Sequence, residues 1–360
     1  MTPGLWLPGQ TWAPCLQVGA GSTVFSSVAR IARDVAEPVT IEAIPRGSWG
    51  TGDYVTARVE SDAGIDAQIE CTTGRMVGVL TNDLVVGALG ERYATLEAVG
   101  SWRDVRDDLR LETLTRAGVL GRAISAAAPS RAALVPLLYK GHVLCGGEKI
   151  DMGRFVETVP ERSLEAPVCL MIGTSMSAGK TTAAKAVIRA LKRRGLRVAA
   201  AKVTGVARYR EILTMRDAGA DCVVDFVDVG LPSTYCSREV YLPALRGLLS
   251  RLASSDPEVA VVEVGSSPLE PYNVDTAVEE LGDQVAMTVL SASDPFAVVG
   301  VSTAYGLKPD LITGRATTTI AGVELTKRLS GVTALNLLDP DALPQLDALL
   351  SEKLGLEVAG

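Results

Sequence analysis

Between Val168 and Lys202 the chain reads VCLMIGTSMSAGKTTAAKAVIRALKRRGLRVAAAK, an order of residues that few folds accommodate. An apolar run, Val168–Ile172, enters a small and polar loop, Gly173–Ala178. Gly179-Lys180-Thr181-Thr182 follows and opens a helical segment to Arg194, where Gly195 stops it. A second apolar run, Leu196–Ala201, ends in Lys202. Strand, glycine-bearing loop, GKT, helix and strand together make a phosphate-binding loop (P-loop) in its working context. In that context successive backbone N–H groups and the helix N-terminus point at one spot and favour an anion there. Gly179 lets the backbone approach phosphate with no Cβ in the way. Lys180 is expected along the β- and γ-phosphates and the Thr181 hydroxyl on Mg²⁺. Gly173, Thr174, Ser175, Met176, Ser177, Ala178, Gly179 and Thr182 complete the expected nucleotide cradle.

Five residues, not four, separate Gly173 from Gly179, so Thr174 stands in place of the usual first glycine. With this gap, GTSMSAGKT resembles the GTDTxxGKT loop of dethiobiotin synthetases. Lys202 matches the second lysine that family carries at the end of its next strand. TMRDAGAD (Thr214–Asp221) resembles a helix end of the molybdopterin-guanine-dinucleotide accessory NTPases. Both are P-loop families, and the resemblance is confined to the C-terminal half. It implies ATP, with GTP as the other option, and Mg²⁺ as the cofactors. By analogy with that class it also implies a homodimer. Ser175 replaces the aspartate of the GTDT loop, and the large N-terminal region is foreign to dethiobiotin synthetases, so dethiobiotin synthesis itself is not expected.

A chain of 360 residues is long for one core and predicts two domains. PERSLEAP (Pro160–Pro167) reads as a linker, which sets the expected domains at 1–165 and 166–360. The net charge of −7, from 35 basic and 42 acidic residues, argues against non-specific nucleic-acid binding. The cluster Lys192-Arg193-Arg194 closes a helix, where cations suit the dipole. Six cysteines stand singly without a CxxC pair, as in a reduced protein with structural thiols. The single histidine, His142, rules out a His-ligated zinc site or a histidine triad and reads as a strand-edge residue. No apolar run has the length of a membrane span, and the N-terminus lacks a basic leader; the expectation is a soluble, cytoplasmic protein without a membrane partner.

In the first half, residues 1–22 are rich in Gly, Pro and Trp, with Trp6 and Trp12 as a packing arm, and Phe25–Val35 has the look of an amphipathic helix. From Val39 to Ala98 the pattern is β-like. Tyr54–Val59 alternates, and Met76–Leu80 and Leu84–Leu89 are short apolar runs divided by Thr81-Asn82-Asp83. Short strands at this spacing predict a small barrel or sandwich. Asp53, Arg92, Tyr93, Lys140, Glu148 and Lys149 lie next to glycines and read chiefly as turn or surface groups. The fold class is therefore α/β, a P-loop, doubly wound and mostly parallel sheet, preceded by a β-rich domain that is available for substrate or partner recognition.

In parallel sheets ligands gather at the C-terminal ends of the strands, where Lys202, Asp225, Asp228 and Glu263 are expected. An acid inside the apolar run Glu258–Val264 is costly unless it is paired or meets a metal. Glu263 also resembles the Mg²⁺-holding acid of the VEGxGS strand end in the synthetases. Asp225 and Asp228 compete for the second acid of that family. Thr204, Arg208, Arg210, Ser233, Thr234 and Tyr235 are candidates for an anionic substrate, and Arg315 follows a strand where related proteins read the base. Val332–Leu337 reads as a last strand. The lysine pair Lys180 and Lys202, with Glu263, suits a Mg-ATP-dependent kinase or ligase that phosphorylates a small carboxylate. The alternative is an accessory NTPase whose nucleotide state controls cofactor delivery or partner binding.

Overall fold

In the computed structural model, residues 15–18, 21–32, 39–60 and 67–356 are described; Trp6 and Trp12 lie outside them. The chain divides into two units. The first comprises the chain up to Glu157 with Val206–Arg210 and Phe226–Tyr235; the second comprises Thr158–Gly205, Glu211–Asp225 and Cys236 onward.

The first unit is built on a closed ring of five strands. Tyr54–Val59 pairs antiparallel with Leu84–Leu89 on one side and with Pro136–Cys145 on the other. Pro136–Cys145 pairs with Arg110–Thr113, and that strand pairs with Val119–Ala126. A parallel pairing of Val119–Ala126 with Leu84–Leu89 closes the ring, so it is the barrel of the two expected architectures. The alternation Val55, Ala57, Val59 turns these side chains to a core shared with Val85, Leu89, Leu111, Leu120 and Leu137. The helix expected over Phe25–Val35 is absent from the described part. Gly21–Phe25 is a strand and Ser27–Ile31 a 3₁₀ turn, while residues 33–35 lie outside the described residues. Thr23, Val24 and Phe25 lie beside Leu84, Val85 and Val86 in a parallel ladder, and Ser26 bonds Val86 O, so sheet pairing overrides the helical periodicity.

His142 corrects the strand-edge reading. It lies inside Pro136–Cys145, which is paired on both flanks, and is fully buried. Its Nε2 lies 3.2 Å from Asp53 Oδ2 and its Nδ1 2.6 Å from the Tyr139 hydroxyl. An ionised Asp53 can only accept, which puts the imidazole proton on Nε2; in the neutral ring Nδ1 then accepts from the Tyr139 hydroxyl, which itself accepts the Ile44 N–H at 3.4 Å. Lys149 Nζ and the Gly50 N–H also donate to Asp53, at 2.7 and 2.6 Å. Asp53 is thus part of a buried network and not a turn group, and Lys149 joins that network from an exposed position. Arg92 is likewise buried, bonded to Leu114 O and paired with Glu97.

The second unit is a six-stranded, all-parallel sheet. Its elements in chain order are β1 (Val168–Gly173), α1 (Lys180–Arg193), β2 (Val198–Thr204), α2 (Tyr209–Asp217, whose first two residues group with the first unit), β3 (Cys222–Asp225) and α3 (Arg238–Ala253). They continue with β4 (Val259–Val264), α4 (Val274–Leu281), β5 (Val285–Ser291), α5 (Pro295–Tyr305), β6 (Leu311–Thr313), α6 (Ile320–Ser330) and α7 (Leu343–Leu354). The strand order is β3-β2-β4-β1-β5-β6, so the acid-bearing β4 lies between the P-loop strand β1 and the lysine-bearing β2. Strands β1, β2 and β4 are buried throughout, as continuous apolar runs in a covered parallel sheet must be. Val332–Leu337 does not form the expected strand. Its ladder contact is a single bridge to Ile312, through Thr333 O and the Leu335 N–H, before a turn closed by Asp339 N–H on Asn336 O. Among the described residues no helix is long and apolar enough to cross a membrane.

Burial opposes ionisation of Asp53, but the bonds from His142, Lys149 and Gly50 outweigh it and hold the carboxyl below its ordinary value of 3.8. A group lowered on folding stabilises above its unfolded pKa and loses that contribution as pH falls through the folded one. Asp53→Asn is expected to destabilise the protein by about 1.5–3 kcal/mol near neutral pH, the worth of a hydrogen bond to a charged group. In thermal melts followed by circular dichroism, the difference from wild type should shrink as the pH drops below 3.8.

Candidate functional site

The P-loop is shaped by backbone conformations that point its N–H groups inward. Ser177 and Gly179 both have positive φ, at 60° and 114°, and Gly179 is the N-cap of α1. Neighbouring loops brace it. Thr174 N–H donates to Ser291 O at 3.0 Å, the Ser293 N–H donates to the Thr174 hydroxyl at 3.0 Å, and the Arg315 N–H reaches Ala178 O at 3.3 Å. Arg315 therefore stands beside the loop with its side chain exposed. Asp294, the acid nearest this brace, spends Oδ1 on capping α5 through the N–H groups of Phe296 and Ala297.

Strand register lines up the charged groups. Asp225 of β3 lies beside Lys202 of β2, Lys202 beside Glu263 of β4, and Glu263 beside Met171 of β1. Residues opposite one another in a parallel ladder project to the same face, so Asp225, Lys202 and Glu263 share one. Lys180 adds a second ammonium from the first turn of α1. Each lysine stem needs a glycine beside it. A Cβ on Gly173 would lie 2.8 Å from Lys180 Cγ and Cδ, and one on Gly265 would lie 2.9 Å from Lys202 Cε. Both lysines are 6% exposed. Lys180 Nζ donates to Ser175 O at 2.8 Å, folding back over the loop, and Lys202 Nζ pairs with Glu211 of α2. The Thr181 hydroxyl donates to Glu263 Oε2 at 3.0 Å.

These charges hold one another in place. Burial lowers the Lys180 pKa below its ordinary range, against the pull of Glu263 and Glu211. Burial raises the Glu263 pKa, with Glu211 adding to the rise and Lys202, Lys180 and the Thr181 hydroxyl opposing it. Buried lysines and a carboxylate with shifted pKa values, gathered beside a P-loop, make this the candidate functional site. Glu211 carries no sequence signal; only its place in the first turn of α2, after the Lys202 loop, brings it in.

Other expected site residues fall elsewhere. Asp228 is in the first unit, 3.0 Å from Arg30. β3 stops at Asp225, and Phe226–Val229 is a 3₁₀ turn. Thr204 ends β2 and donates to Gly265 O at 2.8 Å. Arg208, Arg210, Ser233, Thr234 and Tyr235 group with the first unit, where Ser233 bridges to Val206 and Tyr235 stacks on Tyr93 at 5.7 Å. In that unit the buried carboxylate of Glu70 accepts the Tyr209 and Arg210 N–H groups at 2.8 and 2.9 Å. The end of the TMRDAGAD stretch has a structural task, since Asp221 takes Lys192 Nζ and the Val198 N–H at 2.7 Å each. Among the described residues no group of three or more His, Cys, Asp or Glu is placed to hold a metal.

Residues 156–304 match a family model described as a domain of unknown function, the DUF1611_C P-loop domain. Among solved structures the chain is similar to a DUF1611 family protein from Anabaena variabilis, at 17% identity and a TM-score of 0.36, over 54% of this chain and 60% of that one. The chain thus matches about 60% of the length of that protein. It is also similar to the hydrogenase maturation factor HypB from Archaeoglobus fulgidus, at 15% identity and a TM-score of 0.36, over 52% of this chain and 90% of that one. A third similarity is to a nucleotide-binding protein from the same archaeon in complex with ADP, at 11% identity and a TM-score of 0.34, over 54% and 93%. No curated protein matches.

The two glycines predict different failures. A Cβ on Gly265 would meet the backbone oxygen of Thr204 at 2.3 Å, which cannot yield as a side chain can. Gly265→Ala should lower the melting temperature by about 4 °C or more. Gly173→Ala meets only the flexible Lys180 stem, so it should melt like wild type yet bind Mg-nucleotide at least about tenfold more weakly by calorimetry.

Proposed function

We propose that the second unit is a phosphoryl-transfer domain that uses Mg-ATP to activate a small carboxylate-type acid, as a kinase or ligase. The observation that carries this reading is the convergence of two buried lysines, Lys180 and Lys202, on the strand ends where Thr181 and Glu263 meet at 3.0 Å. Loop N–H groups from Gly173 to Thr182 would cradle the phosphates, and Lys180 would release Ser175 O to lie along the β- and γ-phosphates. Lys202 would face the far side of the γ-phosphoryl, where charge develops as it passes to an acceptor oxygen. A lysine in that place is the feature shared with dethiobiotin synthetases, and it suits an anionic acceptor better than water alone.

Magnesium fits the donors present. A Thr hydroxyl and a Glu carboxylate at hydrogen-bond distance supply hard oxygens, and Mg²⁺ is usually held by one or two protein groups with phosphates and waters completing the shell. Bound there, Mg²⁺ would neutralise charge on the β- and γ-oxygens. Asp225 is the preferred second acid, because it shares the row of Lys202 and Glu263 whereas Asp228 is committed to Arg30.

Calorimetry with Mg-ATP and Mg-GTP, followed by ADP release across a panel of small acids, tests the reading. Lys180→Ala should abolish nucleotide binding. Lys202→Ala should bind Mg-ATP within about threefold of wild type but lose acid-stimulated ADP release by about 10²–10³-fold, the usual worth of one transition-state charge contact. Stimulation by no acid, with slow turnover that responds to a protein, would replace this reading with the accessory-NTPase one.

A further inference from the structure

We infer that Glu211 is an internal counter-ion that holds the substrate's anion position at Lys202 and must leave when an oxyanion binds, an inference that rests on the phosphoryl-transfer reading above. Lys202 has three acids around it, its register neighbours Asp225 and Glu263 and the helix residue Glu211, and it is paired with Glu211. Glu263 accepts the Thr181 hydroxyl instead. Lys180 and Lys202 stand against three acids, Asp225, Glu263 and Glu211, so an incoming oxyanion would add to an excess of negative charge in the buried cluster unless one acid withdraws.

The structure decides which acid can. Glu263 and Asp225 are 2% and 1% exposed and are held on strands of the sheet. The Glu211 side chain is 20% exposed and sits in the first turn of α2, so a rotamer change carries it into water. Lys202 cannot follow it. Its stem runs past Gly265 and past Gly205, where a Cβ would lie 3.3 Å from Cε, and the side chain is 7% exposed. Withdrawal of Glu211 therefore leaves a fixed ammonium facing the strand ends, beside the place of the γ-phosphate. The ligand class it selects is a small oxyanion, either the acceptor's carboxylate or the transferring phosphoryl group. A neutral molecule gains nothing from displacing an ion pair.

The test is calorimetric titration of orthophosphate and, separately, acetate into full-length protein saturated with Mg-ADP. Glu211→Gln is expected to bind the probe anion at least about tenfold more tightly than wild type, one decade being the effect of 1.4 kcal/mol. The double variant Glu211→Gln with Lys202→Met should lose that gain. Glu211→Met, similar in length and uncharged, should reproduce it, so misfolding of one variant does not decide the outcome. A gain with orthophosphate alone assigns Lys202 to the transferring phosphoryl group, and a gain with acetate assigns it to the acceptor carboxylate. Unchanged or weaker anion binding in both Glu211 variants, with Mg-ADP binding intact, overturns the counter-ion role alone. Absence of Mg-ADP binding in the wild type overturns the nucleotide reading and this inference together.

Discussion

The buried charge row across β3, β2 and β4 is the constraint to which the rest of the second unit conforms. Taking lysines and carboxylates out of water costs several kcal/mol per ion unless each finds a partner of the right geometry. Alternation of sign along Lys180, Glu263, Lys202 and Glu211 meets that requirement. It also accounts for features that otherwise look unrelated: a glycine beside each lysine stem, an acid within an apolar strand, and a helix that starts soon after β2 and delivers Glu211. Because Lys202 is held by Glu211 and Glu263 by Thr181, the site is prearranged to receive charge, as the proposed phosphoryl transfer would require.

A second buried polar network, around Asp53 in the first unit, obeys the same rule with different consequences. Each partner of the carboxylate is a donor, and His142, Tyr139 and Ile44 pass hydrogen bonds along one direction. A fully satisfied network of this kind fixes a unique arrangement of the surrounding strands. Trp49 packs on Tyr139 at 4.5 Å between ring centroids and shields the network from one side. The barrel thus owes part of its definition to polar contacts and part to the apolar core of Val55, Ala57, Leu111 and Leu137.

The two halves were legible to different degrees for a physical reason. In the second unit the buried strands are continuous apolar runs closed by polar loops, so β1, α1 and β4 could be read to within about a residue, whereas β2 starts and stops later than the run Leu196–Ala201. The first unit depends on long-range pairing. Phe25 looks helical in isolation and becomes a strand because Val86 is there to receive it. His142 looks like an edge residue until strands on both flanks of Pro136–Cys145 are seen to bury it. Val332–Leu337 has a strand's composition and lacks a neighbour to extend the ladder beyond Ile312.

By itself the sequence determined the phosphate-binding loop, because Gly179, Lys180 and Thr181 act through local backbone geometry that a few adjacent residues impose. It also placed Lys202 and Glu263 near the C-terminal ends of their strands, although β2 runs on past Lys202 to Thr204. Only the tertiary structure decided who faces whom. The strand order placed Glu263 between the P-loop and Lys202, the register set Asp225 in the same row, and Asp228 went to Arg30. The start of α2 gave Lys202 its partner Glu211. Such pairings join residues far apart in the chain, and their energies depend on burial and distance, which no local pattern of residues encodes.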